Sequence, residues 1–329
     1  MAGRRALVVG IDYYEHASRL YGCARDAISV SQVLKHHGDS VGSLNFQIPD
    51  LLTASNGLQA VSVAKLRSAV KELFTHEPYE VALFYFAGHG HLDSTGGFLL
   101  GSDSKSGDDG VSLNDILTLA NQSKSTNRVI VLDSCHSGIA GVLPLSGVTA
   151  IEDGVTILTA STAQQYATEE NGAGVFTGLF VDALRGGASD ILGNVTPGST
   201  YAHIDQSLGV KSQRPTFKTN TRAFVSLRRV EPKIGLPELR RITEIFPEPE
   251  YVKKLNPTYE PYRSSDEKAL PAPHEENVVI FGILQKLNRT NLVVPVDADA
   301  MYWAAMNSKS CRLTPLGKHY HRLVANDLI

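Results

Sequence analysis

Two side chains in this sequence, a histidine and a cysteine, are of the types that together carry out acyl transfer. His89 lies between two glycines directly after the apolar run Val81–Phe86, and Cys135 lies 46 positions further on, after the run Val129–Leu132. A thiolate attacks a carbonyl carbon, while an imidazole favours ionisation of the thiol, protonates the departing amine and then activates water. The flanking glycines let a substrate approach the backbone closely. The pair predicts a Cys-His dyad if the fold brings the two residues together.

The segments around these residues predict how they are positioned. Short apolar runs typical of buried strands recur at 6–10, 81–86, 129–132 and 155–159, and segments with helical periodicity lie at 27–34, 63–73 and 113–120. This alternation predicts an α/β fold with a mostly parallel central sheet that is covered on both faces. The functional residues of such sheets lie mainly in the loops that follow the carboxyl ends of the strands, and His89 and Cys135 are both predicted to lie in such loops.

Three motifs in order resemble the caspase-like cysteine peptidases, in particular metacaspases and prokaryotic caspase homologues. They are the histidine motif Phe86–Gly90, the cysteine motif Asp133–Gly138, and the opening segment Ala6–Tyr14 with its continuation Leu20–Ala27. The spacing of the dyad agrees with the roughly 50 positions seen in caspases. The resemblance covers residues 4–227 and implies a three-layer sandwich. It also implies that His89 and Cys135 are catalytic and that the backbone amides of Gly90 and Cys135 form the oxyanion hole.

Two aspartates bear on substrate choice. Metacaspases select Arg or Lys with one aspartate after the first-helix motif and another two positions before the nucleophile, and Asp26 and Asp133 occupy these positions. Paired carboxylates favour a guanidinium through bidentate hydrogen bonds, so the resemblance implies an S1 pocket that prefers Arg, then Lys. The alternative is that Asp26 caps a helix and Asp133 braces the cysteine loop, which would leave another P1 preference open. Ala87 departs from the serine that metacaspases often carry two positions before the histidine.

The composition bounds the environment of the protein. Of its 329 residues, 42% are hydrophobic and 20% charged, which is typical of a soluble globular protein. A net charge of -3 gives no general attraction to nucleic acid or to an anionic membrane. The first apolar run is too short for a signal peptide, no apolar stretch is long enough to span a bilayer, and three scattered cysteines do not predict a disulfide framework. We expect a cytoplasmic protein with protein substrates and with neither a membrane nor a nucleic-acid partner.

No cofactor or metal is expected, because the thiol and the imidazole supply the chemistry. Some metacaspases require calcium, and the sequence has one loose acidic group, which consists of Asp103, Asp108, Asp109 and Asp115. This group lacks the regular spacing of oxygen ligands in a calcium loop. A solvated loop is the simpler interpretation.

The chain is predicted to have three parts: a caspase-like peptidase domain at 1–229, a proline-rich linker at 230–275, and a small C-terminal α/β domain at 276–329. Eight of the fifteen prolines lie between Pro232 and Pro273. The last part has the helix, strand and capped-helix order of a winged-helix-like module. Its basic residues, which are Lys309, Arg312, Lys318 and Arg322, form a thin patch. A regulatory or protein-interaction role fits this patch better than DNA binding.

The distribution of basic residues predicts how such an enzyme would be regulated. No Lys or Arg occurs from 129 to 184, so a basic-specific enzyme could not cut itself there. Candidate sites lie in or beside the linker, at Arg228-Arg229, Arg240-Arg241, Lys253-Lys254 and Arg263. The hypothesis is that the C-terminal portion keeps the enzyme inactive until an upstream protease or a regulator acts. Two alternatives stay open: a linker with no regulatory role, and a catalytically idle caspase fold that serves as an interaction scaffold.

Overall fold

A computed structural model describes residues 3–48, 51–134, 151–160, 169–170, 173–208, 214–221, 223–262 and 270–329. The chain divides into two compact units, Met1–Glu231 and Pro232–Ile329. In the part of the chain that is described, no helix has both the length and the apolar character that crossing a membrane requires.

The first unit combines strands and helices in alternation. Its strands are β1 (Arg4–Ile11), β2 (Leu51–Ala54), β3 (Val81–Ala87), β4 (Gly90–Asp93), β5 (Gly96–Leu99), β6 (Val111–Ser112), β7 (Asn127–Asp133), β8 (Val155–Thr159), β9 (Glu169–Glu170), β10 (Ala173–Gly174), β11 (Asn194–Val195), β12 (Thr216–Asn220) and β13 (Arg228–Arg229). Its α-helices are α1 (Cys23–Lys35), α2 (Val63–Thr75), α3 (Leu113–Gln122), α4 (Val175–Asp182) and α5 (Pro197–Ser207).

Six strands form the central sheet in the order β12-β8-β7-β3-β1-β2. Every neighbouring pair is parallel except β12 with β8. All residues of β3, β7 and β8 are buried, as expected of parallel strands covered on both faces. The predicted α/β fold with a mostly parallel central sheet is confirmed.

Helices cover both faces of this sheet. Alternate residues of each strand point to opposite faces, so Phe84 and Phe86 join one core cluster with α2 and α3, while Tyr85 joins the other with α1, α4 and α5. Side-chain caps begin three of these helices: the hydroxyl of Ser62 accepts from a backbone N–H of α2, that of Ser112 from α3, and that of Thr196 from α5. The result is the three-layer sandwich that the resemblance implied.

The second unit has its own small sheet and core. Its elements are α6 (Leu236–Arg240), α7 (Ile242–Ile245), β14 (Val252–Lys254), α8 (Glu275–Arg289), β15 (Val293–Val296), α9 (Met301–Met306), β16 (Ser310–Leu313) and α10 (Pro315–Ala325). The strands pair antiparallel in the order β14-β16-β15. Residues 232–262, in the segment predicted as a linker, thus contribute two short helices and one strand to this unit. Thr314 caps α10, where its hydroxyl accepts from the N–H of Gly317 at 2.9 Å.

Candidate active site

The carboxyl ends of β1, β3 and β7 meet at one edge of the central sheet. Ala87 at the end of β3 pairs with Gly10 of β1 on one side and with Asp133 of β7 on the other. The N–H of Gly88 donates to the carbonyl of Asp133 at 3.3 Å, which joins the loop that carries His89 to the end of β7. In the sequence, β7 ends two positions before Cys135. Cys135 itself lies outside the described residues.

The imidazole of His89 is half-buried and is held from its Nε2 side. Nε2 lies 2.7 Å from the carbonyl oxygen of Ser18 and 3.3 Å from the hydroxyl of the same residue. A carbonyl oxygen can only accept a hydrogen bond, so Nε2 carries the proton in this contact. The neutral ring therefore has its lone pair on Nδ1, and Nδ1 is the atom that can take a proton.

Tyr14 fixes His89 from a second direction. Its hydroxyl accepts from the backbone N–H of His89 at 2.8 Å, and the centroids of the two rings lie 4.7 Å apart. A Cβ on Gly88 would lie 2.5 Å from the Tyr14 oxygen, so the close contact between Tyr14 and the histidine loop requires glycine at position 88.

His91, which follows the catalytic candidate by two positions, has different surroundings. A Cβ on Gly107 would lie 2.2 Å from its ring, so the imidazole of His91 packs closely against that glycine. Gly90, the predicted oxyanion-hole residue, is the first residue of β4 and pairs with Leu99 of β5. Its predicted partner in that role, the amide of Cys135, lies in the part of the chain that is not described.

The two predicted pocket aspartates, Asp26 in α1 and Asp133 at the end of β7, are buried and converge on Gly174. Oδ2 of Asp26 accepts from the N–H of Gly174 at 2.9 Å. A Cβ placed on Gly174 would lie 2.6 Å from Oδ2 of Asp133 and 3.1 Å from Oδ2 of Asp26. The two Oδ2 atoms thus both lie within about one van der Waals contact distance of the position that a Cβ of residue 174 would occupy.

Further contacts hold these carboxylates in place. The hydroxyl of Thr177 donates to Oδ2 of Asp133 at 2.6 Å, and the phenol of Tyr85 lies 2.5 Å from the same hydroxyl. Burial raises the pKa of Tyr85 well above 10.0, and the charges of Asp133 and Asp26 raise it further. The phenol is therefore neutral at every pH at which a peptidase of this kind would work.

The start of α1 is fixed independently, and this positions Asp26. Oδ1 of Asp12, at the end of β1, accepts from the N–H of Cys23 at 2.8 Å. Burial raises the pKa of Asp12, while hydrogen bonds from the backbone of Ala24 and Cys23 act in the opposite direction. Gly10 also allows β1 to approach α1, because a Cβ there would lie 2.1 Å from the carbonyl oxygen of Cys23.

Two members of the acidic group, Asp103 and Asp109, accept hydrogen bonds from backbone N–H groups. Oδ1 of Asp103 accepts from the N–H of Val63 at 2.7 Å, at the start of α2, and Oδ2 of Asp109 accepts from the N–H of Lys105 at 3.1 Å. Across the described ranges, no group of three or more His, Cys, Asp or Glu side chains is arranged to hold a metal ion.

Comparison with known proteins identifies the family. The family model of the caspase domain matches residues 3–225, so the chain belongs to the caspase family of cysteine peptidases. The protein GSU0716 of Geobacter sulfurreducens has a similar structure, with a TM-score of 0.51, 16% identity, and coverage of 70% of this chain and 98% of that one. Caspase-1 of Spodoptera frugiperda matches with a TM-score of 0.50 and 11% identity, over 70% of this chain and 91% of that one. No curated protein matches the sequence.

Several contacts of this site do not follow from sequence reasoning. Tyr14 and Ser18, which hold His89, lie 75 and 71 positions before it, and Thr177 lies 44 positions after Asp133. Tyr14 is the last residue of the opening segment Ala6–Tyr14, which resembles the caspase-like peptidases. That resemblance is a signal that Tyr14 matters, but it does not identify His89 as its partner.

Proposed function

We propose that this protein is a cysteine endopeptidase that cleaves its protein substrates after Arg or Lys through a Cys-His dyad. The Cys135 thiolate attacks the scissile carbonyl, a C–S bond forms, and the C–N bond breaks as His89 gives its proton to the departing amine. Water, activated by His89, then hydrolyses the thioester and restores the thiol. Caspase-family membership supports the reaction class, and the residues carry the roles that the motifs imply.

The orientation of His89 supports its role as the proton carrier. With Nε2–H donated to the carbonyl of Ser18, a proton taken from a thiol would enter at Nδ1 and produce an imidazolium. The carbonyl dipole that holds Nε2–H stabilises this positive charge, and a charge-assisted hydrogen bond is stronger than a neutral one. This contact would therefore favour a thiolate–imidazolium pair.

The observation that carries the preference for a basic P1 residue is the convergence of Asp26 and Asp133 on Gly174. Two carboxylates on one wall can bind the two edges of a guanidinium, whereas an ammonium offers a single compact charge. Arg is accordingly preferred to Lys, and an acidic P1 residue would be repelled.

A panel of fluorogenic peptides tests this function. The peptides end in Arg, Lys, citrulline, Asp or Leu; citrulline keeps the shape of arginine but lacks its charge. After limited proteolysis of the full chain, we expect cleavage after Arg, loss of that cleavage in Cys135→Ala, and wild-type activity in Cys311→Ala, since Cys311 lies in the second unit. His89→Ala should be inactive, while the matched control His91→Ala should retain most activity. Equal cleavage after Arg and citrulline would exclude the charged pocket.

A catalytically idle scaffold is the competing function. It would leave every peptide uncleaved even after limited proteolysis of the full chain, and Cys135 would then react with an iodoacetamide probe no faster than an ordinary exposed thiol.

The proposed enzyme is held inactive by its C-terminal portion until proteolysis or a partner releases it. The first unit ends at Glu231, so a chain that stops there keeps all of that unit's elements. We expect this shortened chain to hydrolyse the Arg peptide faster than the full chain. Equal rates would leave the second unit without an inhibitory role.

A further inference from the structure

A chain of two hydroxyl groups leads from the central strand of the sheet to one of the pocket aspartates. Tyr85 lies in β3 and is fully buried on the face of the sheet that α1 and α4 cover. Its phenol oxygen lies 2.5 Å from the hydroxyl oxygen of Thr177, and that hydroxyl lies 2.6 Å from Oδ2 of Asp133. The three groups lie in the interior, where the direction of each hydrogen bond matters most.

The chemistry of the two hydroxyls fixes this direction. A carboxylate has no proton to give, so Thr177 must be the donor to Asp133. A threonine hydroxyl carries one proton, and that proton is already committed; the short contact with Tyr85 therefore requires the phenol to donate. A phenol that remains protonated can do so, and burial together with the charges of Asp133 and Asp26 raises the pKa of Tyr85 well above 10.0. Both protons in the chain thus point towards Asp133.

The pocket needs such an arrangement because it holds two like charges close together. Asp26 and Asp133 both face Gly174, and neighbouring carboxylates each disfavour the ionised form of the other. Hydrogen bonds to the ionised form act in the opposite direction. Asp26 receives one from the N–H of Gly174 and Asp133 one from Thr177. A protonated carboxyl would be a poor partner for an arginine side chain.

We propose that Tyr85 and Thr177 are positioning residues that hold Asp133 anionic and correctly oriented for a basic P1 side chain, an inference that rests on the function proposed above. Neither residue touches the substrate. Thr177 orients the carboxylate directly, and Tyr85 acts through Thr177 by committing its only proton to Asp133. The preference for a charged P1 residue therefore depends on two neutral hydroxyls behind the pocket wall.

Other ionisable groups face the same region. Asp26 and Cys23 come from α1, and both act on the phenol of Tyr85 from β3. His89 follows the Gly88 amide that bonds the backbone of Asp133. The first turn of α4, which contains Thr177, has no acidic residue. Thr177 therefore stabilises the ionised form of Asp133 by a hydrogen bond, and a mutation can remove this hydrogen bond without changing any charge.

The test measures Asp133 directly in the full chain. Aspartate is labelled with ¹³C at its carboxyl carbon, and the Asp133 signal is identified as the one missing from Asp133→Asn. Thr177→Val removes the donor without changing size, and we expect it to move the titration midpoint of Asp133 upwards by about one pH unit. Tyr85→Phe should move it less, and Thr177→Ser should restore the parent value. A merely structural role would lower stability but would leave the midpoint in place.

A second measurement separates this inference from the proposed function. The ratio of kcat/KM for Arg over citrulline peptides should fall as the pH is lowered through the Asp133 midpoint, and in Thr177→Val this fall should occur about one pH unit higher than in the parent, with the parent profile recovered in Thr177→Ser. Midpoints that are equal in all four proteins would overturn the inference, whatever the peptides show. If the midpoint of Asp133 shifts in the variants but the parent protein does not distinguish Arg from citrulline, the role of Thr177 and Tyr85 is supported and the preference for a basic P1 residue is rejected.

Discussion

Single side chains fix the position of His89 in the first unit. The ring is held through Nε2 by Ser18, while the backbone at the same residue is held by the hydroxyl of Tyr14. The two contacts act on different degrees of freedom, because one fixes the rotation of the ring and the other fixes the loop. A dyad needs both, since a displacement of about 1 Å in a reacting group can cost as much as a hundredfold in rate.

Removal of the Tyr14 hydroxyl tests the second contact. Tyr14→Phe leaves the aromatic packing against His89 but takes away the acceptor for its N–H. We expect kcat to fall about tenfold with little change in KM, because positioning of the base is lost and substrate binding is not. The matched control is Tyr13→Phe, since the Tyr13 ring lies instead against Gly57. Unchanged kcat in steady-state assays of Tyr14→Phe would contradict the positioning role.

At the scale of elements, the start of α4 contacts both aspartates that we propose for the S1 pocket. Gly174 is its N-cap residue, with a φ of −66° that any residue can adopt. Its need for glycine is therefore set by the two carboxylates and not by the backbone. The next glycine of the same helix, Gly178, has nothing within 4 Å of an added Cβ. The helix thus offers a sensitive and an insensitive position one turn apart.

Alanine at these two positions should have opposite effects. In Gly174→Ala the new methyl group meets Oδ2 of both aspartates, so we expect cleavage of Arg peptides to fall by about two orders of magnitude. Gly178→Ala should keep full activity and raise the free energy of unfolding by about 0.5–1 kcal/mol, because alanine loses less conformational entropy in a helix. Peptide assays and thermal unfolding measure the two effects. Equal activity of the two variants would show that the space beside Gly174, Asp26 and Asp133 is not needed for cleavage of Arg peptides.

A buried thiol makes the second unit sensitive to alkali. Cys311, in the central strand β16, is fully buried, and burial raises the pKa of its thiol to about 12 from 9.0. Above pH 9 the unfolded chain loses this proton while the folded unit keeps it. The contribution to stability is therefore fully present below pH 9 and is lost as pH rises towards 12.

Cys311→Ala is expected to change both the free energy of unfolding and the way in which that free energy depends on pH. The variant should be less stable at neutral pH by about 1–2 kcal/mol, because it leaves a small cavity, but its stability should fall less steeply between pH 9 and 12. Trp303, the sole tryptophan, lies in α9 of the same unit and reports the unfolding by fluorescence. Parallel pH curves for the two proteins would contradict this link to the thiol.

The elements differ in how far the sequence reveals them. The runs at 6–10, 81–86, 129–132 and 155–159 all lie in strands of the central sheet, because strands buried on both faces must be continuously apolar. Strand β12 has no such run; its five residues are half-buried or exposed at the sheet edge, so nothing in TFKTN separates it from a loop. The resemblance predicts Asp26 and Asp133 as a pair. Their partners Gly174 and Thr177 depend on long-range contacts that no periodicity in the sequence indicates.

At the scale of the whole molecule, the structure bears on where the proposed peptidase could cut itself. The stretch 129–184 contains no basic residue, and the candidate sites named above lie near the boundary of the units and beyond it. Arg228 and Arg229 form β13, which pairs with β11, and the guanidinium of Arg228 bonds the carbonyls of His36 and Leu184. Lys253 and Lys254 pair with β16, and Arg240 and Arg241 lie where α6 meets α7. A segment in such a strand or helix must unfold locally before a peptidase can bind it as an extended chain, so we expect these sites to be cut slowly.

Arg263, the remaining candidate, lies outside the described residues, and we expect self-processing to occur after it. Intact-mass measurement of the full chain during incubation should reveal a cut after Arg263, which Arg263→Gln abolishes while the double control Arg240→Gln, Arg241→Gln retains it. If the second unit restrains the peptidase, hydrolysis of the Arg peptide should rise in step with this cut and stay low in Arg263→Gln. A first cut at Arg228-Arg229, Arg240-Arg241 or Lys253-Lys254 would contradict the protection that we attribute to these elements. Full activity of Arg263→Gln would instead separate cleavage from activation and leave release by a binding partner as the means of control.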